Sequence, residues 1–314
     1  MTPSDRFAYL GPEATFTEAA LLRYLDDRGL RAAATIIPMR GVASALESVL
    51  DGDCETAVVP IENSVEGGVP ATIDALTEHG RLQIVAEVVV PVRFVLAVKP
   101  GTDIGSLGSF GTHPHGEAQV RGYMAEHFPE AVYIPTSSTA AAARDLANDA
   151  GEHVAAVCPA LAAERYGLEV IAEDIGDNRE AVTRFVVVRR PGAIPEPTGA
   201  DKTTIVAALR SNRSGALLEL LEQFSTRGVN MSRIESRPTG DGLGLYQFSI
   251  DLQGHIREAR MAEALQGVHR VARRLQFLGS YPSADEVKVL VDPTTDEHSF
   301  AAAAAWLEDT LHGE

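Results

Sequence analysis

One stretch restricts the folding of this chain more than any other. It runs Arg189-Arg190-Pro191-Gly192-Ala193-Ile194-Pro195-Glu196-Pro197-Thr198-Gly199, with three prolines and two glycines. Proline lacks a backbone donor and glycine costs conformational entropy, so neither a helix nor a central strand passes through. A length of 314 residues suits two domains, and the boundary belongs here. The pattern predicts one domain over residues 1–190, a linker over 191–202, a second domain over 203–282 and a tail over 283–314.

Ahead of the linker, strand-like runs alternate with helical periodicity. Phe7–Leu10, Thr35–Pro38 and Thr56–Ile61 read as strands, with helices over Thr15–Asp27 and Gly41–Leu50 between them. A helix over Val69–Glu78 leads to two long strands within Gln83–Val98, divided by Pro91. Strands at Ser109–Gly111, Val132–Pro135, Val154–Cys158, Val170–Ala172 and Thr183–Arg189 follow, with helices over Gly116–His127, Thr139–Asp149 and Ala160–Tyr166. This rhythm predicts an α/β domain with a mainly parallel sheet. The mid-chain position of Gln83–Val98 suits two α/β lobes around a cleft, the chain crossing near Glu87–Val92 and again near residue 160. Ligands of such folds sit beyond the carboxyl ends of strands.

After the linker the order is strand Thr203–Leu209, helix Gly215–Arg227, strand Met231–Arg237, a turn through Gly240-Asp241-Gly242, strand Leu243–Leu252, helix Glu258–Arg274 and strand Leu275–Pro282. That is βαββαβ, a ferredoxin-like unit. Ser299–Leu311, around Trp306, reads as a helix in the tail.

Charge narrows the function. The chain carries −17 overall. Residues 1–190 hold 15 basic against 27 acidic side chains, residues 191–282 hold 11 against 9, and the tail 1 against 8. Nucleic-acid binding needs a basic footprint, which is missing. A small anion would need a local positive pocket, which draws attention to arginines near apolar surroundings. Apolar runs such as Val85–Val92 are too short to cross a membrane, and Met1–Leu10 lacks the apolar core of a signal peptide. Cys54 and Cys158 make no disulfide framework, so a reducing cytoplasm is expected.

Standard motifs are absent. Gly240-Asp241-Gly242 lacks the third glycine of a dinucleotide fingerprint, and no phosphate-binding GxxxxGK[ST] occurs. His113 and His115 flank Pro114 without a third metal ligand nearby. The strand-end loops are more informative. Tyr9–Thr17 turns from a strand into a helix that Thr15 or Thr17 can cap, and free amides at a helix start suit a carboxylate. Ile61–Gly68, Gly111–Pro114 and Thr136–Thr139 repeat the pattern of strand and polar loop. Arg184 enters the apolar strand Val182–Val186. A buried arginine requires either a carboxylate partner or an anionic ligand.

Taken together, Tyr9-Leu10-Gly11-Pro12, Pro60-Ile61-Glu62-Asn63-Ser64, Thr112-His113-Pro114, Ser138-Thr139 and Thr183-Arg184-Phe185 resemble the prephenate dehydratase family. The second domain resembles a phenylalanine-responsive ACT domain through Gly215-Ala216-Leu217-Leu218 and Glu235-Ser236-Arg237-Pro238. The resemblance covers residues 6–282. It implies a catalytic domain with two lobes like those of periplasmic binding proteins, followed by an allosteric sensor. The chain departs from the family at Thr112, Ala181 and Ser214, where Ser, Asn and Pro are usual.

The implied reaction converts prephenate to phenylpyruvate, water and CO2. Aromatisation drives it, so no cofactor and no metal are expected. The resemblance implies catalytic roles for Thr183 (a hydroxyl on the leaving oxygen), Arg184 (a carboxylate) and Phe185 (an apolar wall). Substrate contacts would come from Gly11, Thr15, Asn63, Ser64, Thr112, His113, Ser138 and Thr139. Phenylalanine would bind where two ACT domains meet, using Asn212, Gly215, Ala216, Leu217, Leu218, Asn230, Met231, Glu235, Ser236 and Arg237. The family suggests a homodimer or homotetramer, with no nucleic-acid or membrane partner. Two other readings remain at this level: arogenate as substrate, or a metabolite-binding regulator without catalysis.

Overall fold

The computed structural model describes residues 6–240, 242 and 245–313, with the backbone alone at Ser106 and His79. Two compact units emerge, one of Met1–Thr72 with Val88–Val187 and the other of Ile73–Glu87 with Val188–Glu314.

The chain begins with β1 (Arg6–Leu10), α1 (Phe16–Asp26), β2 (Thr35–Met39), α2 (Val42–Leu50), β3 (Thr56–Asn63), β4 (Gly67–Gly68), α3 (Pro70–His79) and β5 (Gln83–Pro91). It continues through β6 (Val95–Val98), β7 (Ser109–Thr112), α4 (Pro114–His127), β8 (Val132–Pro135), α5 (Thr139–Ala147), β9 (Ala155–Cys158), α6 (Ala160–Arg165), β10 (Glu169–Ala172) and β11 (Val182–Arg189). One sheet has the order β2-β1-β3-β11-β5, with β4 on β3, and a second has β10-β6-β9-β7-β8.

The expectation of mainly parallel pairing needs correction. β1 is parallel to β2 and β3, and β7 to β8 and β9, but β6 is antiparallel to both β9 and β10. A crossover helix enforces parallel pairing; β6 arrives straight from the other sheet with no such helix before it. The first crossing falls near Pro91, as expected. The return lies between Ala172 and Val182 rather than near residue 160, because β10 still pairs within the second sheet.

The inner strands β6 and β9 of the second sheet are buried on both faces. Leu96 and Val98 of β6 join Phe94, Phe110, Val120, Met124 and Val157, while Val95 and Ala97 meet Ala140, Ala143, Ala156 and Cys158. Alternation of side chains across a strand produces these two layers. The alanines of α5 let helix and sheet approach closely. Both cysteines are buried and unpaired.

The second unit contains β12 (Asp201–Leu209), α7 (Ala216–Ser225), β13 (Met231–Pro238), β14 (Tyr246–Gln253), α8 (Ala259–Val271) and β15 (Ala272–Pro282), with α9 (Glu297–His312) in the tail. Its antiparallel order β13-β14-β12-β15 is that of the ferredoxin-like unit. Asp241, Leu243 and Gly244 of the expected turn and strand lie outside the described residues. The helix expected to run to Arg274 stops at Val271, since Ala272 and Arg274 pair with Leu209 and Ala208 on β12. Ladder hydrogen bonds there outweigh helical periodicity.

Ile205, Ala207, Leu220, Phe224, Ile250, Met261 and Val268 form this unit's core, and each large apolar side chain contributes about 1.5–3 kcal/mol by leaving water. The opposite sheet face carries a hydrogen-bonded polar cluster. Thr204 donates to Asp251 (2.8 Å), and Arg233 reaches Asp251 (3.1 Å) and Ser249 (3.2 Å). Residues from the earlier stretch complete the unit. Gln276 donates to the Leu76 carbonyl (2.9 Å), and buried Glu87 accepts from Lys202 (2.7 Å), Ser283 (3.1 Å) and the Ala284 amide (2.8 Å).

Candidate active site

The loop after β1 is tied at several points. The Gly11 amide donates to the Met39 carbonyl (2.8 Å), and a Cβ at Gly11 would lie 2.9 Å from Pro38 Cβ, so only glycine fits. Thr15, rather than Thr17, caps α1 by accepting from the Glu18 amide (3.4 Å), and its hydroxyl donates to the Pro12 carbonyl (3.1 Å). Glu18 is fully buried yet receives the Ala14 amide (2.6 Å), the Tyr9 hydroxyl (2.9 Å) and the Arg165 guanidinium (2.5 and 3.1 Å). Burial, and then the charge of Glu18, push the Tyr9 phenol up, so it stays a donor.

β3 delivers Asn63. Its Oδ1 accepts from the amides of Val65 (2.8 Å) and Glu66 (3.1 Å), which fixes the amide orientation. Nδ2 then donates to Thr183 Oγ1 at 2.9 Å. The hydroxyl proton of Thr183, a buried side chain, meets no acceptor among the described residues. Ser64 ties the same loop to β11: its amide donates to the Val182 carbonyl (2.9 Å), and its Oγ accepts from the Val182 amide (3.0 Å).

The other lobe contributes two helix starts. His113 caps α4, its Nδ1 accepting from the His115 amide (3.2 Å), which leaves Nε2 as the nitrogen that carries the proton. Burial, and then the neighbouring His115, hold His113 below the usual histidine range. His115 Nδ1 lies 2.7 Å from Glu66. Ser138 caps α5 by accepting from the Ala141 amide (2.9 Å).

These elements enclose a cavity of about 830 Å³. Of the expected residues it brings together Gly11, Thr15, Asn63, His113, Ser138, Thr139 and Thr183. Ser64, Thr112, Arg184 and Phe185 do not line it. Thr112 is buried and donates to the Val157 carbonyl (2.8 Å), and Phe185 is packed in the core. Arg184 has the carboxylate partner that the sequence left open: Nε and Nη2 each lie 3.1 Å from Glu62 Oε2. Neighbouring residues of a strand face opposite sides, which separates Arg184 from Thr183. Sequence reasoning missed Arg40, Glu66, Gln119, Arg144 and Tyr166, all of which line the cavity. The one of these with a signal in the sequence was Glu66, which lies in the Ile61–Gly68 loop.

In the second unit, Gly215 opens α7 at φ +83°, a conformation that favours glycine. Leu218 is exposed, while Ala216 and Leu217 pack on the core. Exposed Asn212 belongs to the turn ahead of α7. β13, a sheet edge, carries Met231, Glu235, Ser236 and Arg237, with Asn230 just before it. Asn230 donates to Gln253 (2.9 Å), Glu235 pairs with Arg233 (3.1 Å), and Arg237 grips Asp74 of α3 through both Nε (3.0 Å) and Nη2 (2.5 Å). Among the described residues no metal-binding cluster of His, Cys, Asp or Glu exists, and no helix is long and apolar enough to cross a membrane.

Comparison with known proteins points the same way. The prephenate dehydratase family model matches residues 7–193. A prephenate dehydratase of Amycolatopsis methanolica is 43% identical over 311 residues, 99% of each chain. A solved prephenate dehydratase from Arthrobacter aurescens, in complex with L-Phe, is 50% identical with a TM-score of 0.92, covering 98% of this chain and 99% of that one. A quorum-quenching acylase, GqqA, is similar at 31% identity and TM-score 0.78, over 88% of this chain and 98% of its own. A family model over the two-lobed part and named relatives over the full length leave one conclusion: this chain belongs to the prephenate dehydratases, lyases that release water and CO2 from prephenate.

Proposed function

We propose that the cavity binds prephenate and that Thr183, held by Asn63, assists departure of its ring hydroxyl. The observation that carries this is the 2.9 Å bond from Asn63 Nδ2 to Thr183 Oγ1. That bond occupies a lone pair of the hydroxyl and leaves its proton for the substrate. In the reaction the bond to the ring carboxylate breaks, and its electron pair enters the ring. The carbon–oxygen bond to the hydroxyl breaks in turn, and the departing oxygen takes up a proton to become water. A threonine hydroxyl is too weak an acid to supply that proton alone, so Thr183 hydrogen-bonds the leaving oxygen or relays a proton to it. Neutral His113 offers a second donor to the cavity, and Ser138 and Thr139 orient the substrate. Arg184 and Ser64 act on the strand instead: one joins β11 to Glu62 and the other clamps Val182, which keeps Thr183 in place. Phe185 backs the strand from the core.

In this reading residues 1–190 are the catalytic domain and 203–282 a regulatory ACT domain, joined by the linker and followed by the acidic tail. Phenylalanine binds between two copies, against the Gly215–Leu218 turn and the Asn230–Arg237 strand, in a cytoplasmic homodimer or homotetramer. The L-Phe complex of the Arthrobacter relative supports this. The test is an assay of purified protein with prephenate, without metal or nucleotide, reading phenylpyruvate with and without phenylalanine. Turnover modulated by phenylalanine is expected. No turnover of prephenate, with turnover of arogenate, would overturn the substrate assignment.

A further inference from the structure

A substrate with two carboxylates enters a cavity that also contains Glu13 and Glu66, in a protein of net charge −17. Positive charge is therefore needed inside, and Arg184 does not supply it, being engaged by Glu62 away from the cavity. Two other arginines line the space, Arg40 and Arg144. Arg144 is held by Asp145 through Nε (3.0 Å) and Nη2 (2.8 Å). Arg40 follows β2 directly, is exposed, and has neither ion pair nor hydrogen bond among the described residues. Its neighbour Met39 accepts from the Gly11 amide (2.8 Å), which sets Arg40 beside the loop that leads into α1.

Which carboxylate it would take follows from the chemistry. The ring carboxylate leaves as neutral CO2, so a cation paired to it would stabilise the substrate more than the transition state and slow the reaction. The side-chain carboxylate keeps its charge throughout. A cation there binds substrate, transition state and product alike, with no penalty to the chemical step. We propose that Arg40 binds the carboxylate that prephenate and phenylpyruvate share. This assignment rests on the dehydratase reading of the cavity and adds the residue that anchors the substrate's unreacting end.

The test compares wild type with Arg40→Gln and Arg40→Lys, measuring kcat and KM for prephenate and, by equilibrium dialysis, the Kd for phenylpyruvate. In Arg40→Gln, KM and the phenylpyruvate Kd should rise together by about 10- to 100-fold, the loss of a charge-assisted bidentate contact. The kcat should stay within about threefold of wild type. Arg40→Lys should recover part of the binding, since it keeps the charge without the planar fork. A structural role would not move substrate and product affinity in parallel at constant kcat. Unchanged phenylpyruvate affinity in Arg40→Gln, with wild type active on prephenate, would overturn the assignment alone. An inactive wild type would overturn the dehydratase reading and this proposal with it.

Discussion

Thr183 and Asn63 were both legible in the sequence as candidates, but their bond was not, because 120 residues separate them. The geometry permits a finer test than alanine. In Asn63→Asp the side chain keeps its shape and still accepts from Val65 and Glu66, yet it offers Thr183 an acceptor in place of a donor. The hydroxyl proton would turn toward the carboxylate and be lost to the substrate. Steady-state kinetics should show kcat lower by about 10²- to 10³-fold in Asn63→Asp and in Thr183→Ala, with KM little changed. Near-normal kcat in either would remove Thr183 from the chemistry. His113 carries a separate prediction. Its folded-state pKa lies below the unfolded value of about 6.5, so the folded state takes up its proton later as pH falls. The stability this contributes is complete above about pH 6.5 and is lost as pH drops through the folded-state value. Denaturant midpoints measured from pH 7 to 5 should fall less steeply in His113→Gln than in wild type. Parallel slopes would show that the ring is not protected from protonation.

At the scale of elements, sequence periodicity located the strands and helices well and their partners poorly. The strand Val95–Val98 was readable, but its antiparallel pairing depends on which sheet it joins, and nothing local encodes that. The end of α8 was overrun because Ala272-Arg273-Arg274 continues a helical pattern that only the distant strand β12 interrupts. The site was legible where it is made of loops that begin helices, since capping residues act over three or four positions. Arg40 has no such local grammar: its importance comes from a cavity assembled by other elements. Gly11 is a case in which the local reading and the packing agree. Gly11→Ala would place a methyl 2.9 Å from Pro38 Cβ and 3.2 Å from the Met39 carbonyl. The β1–α1 loop should shift away from β2, costing about 1–3 kcal/mol of stability and raising KM. Thermal unfolding and kinetics of that variant would check both, and an unchanged KM would mean that the loop does not touch substrate.

For the whole molecule, the linker suggested a clean division by sequence, whereas the second unit also holds Ile73–Glu87. That segment was unreadable as part of it, because α3 and β5 look like one more βα step of the first domain. Their bonds are specific: the Leu76 carbonyl serves Gln276, Asp74 serves Arg237, and Glu87 serves Lys202 and Ser283. A fragment of residues 191–314 alone would leave Gln276, Ser283, Lys202 and Arg237 without these partners. Its melting followed by circular dichroism should show a transition at least ~10 °C below that of the full chain, or none. An equally stable fragment would mean that Ile73–Glu87 adds nothing to the unit.

The division also bears on inheritance. A unit made from two separated pieces of sequence cannot travel between genes as a single cassette. Recombination with its breakpoint in the proline-rich linker would deliver β12 to α9 while leaving the helix and strand of 73–87 with the donor. The recipient would have to supply its own Asp74, Leu76 and Glu87 equivalents in register with Arg237, Gln276 and Lys202. Chimaeras that exchange this unit should therefore succeed or fail on fifteen residues far upstream of the junction.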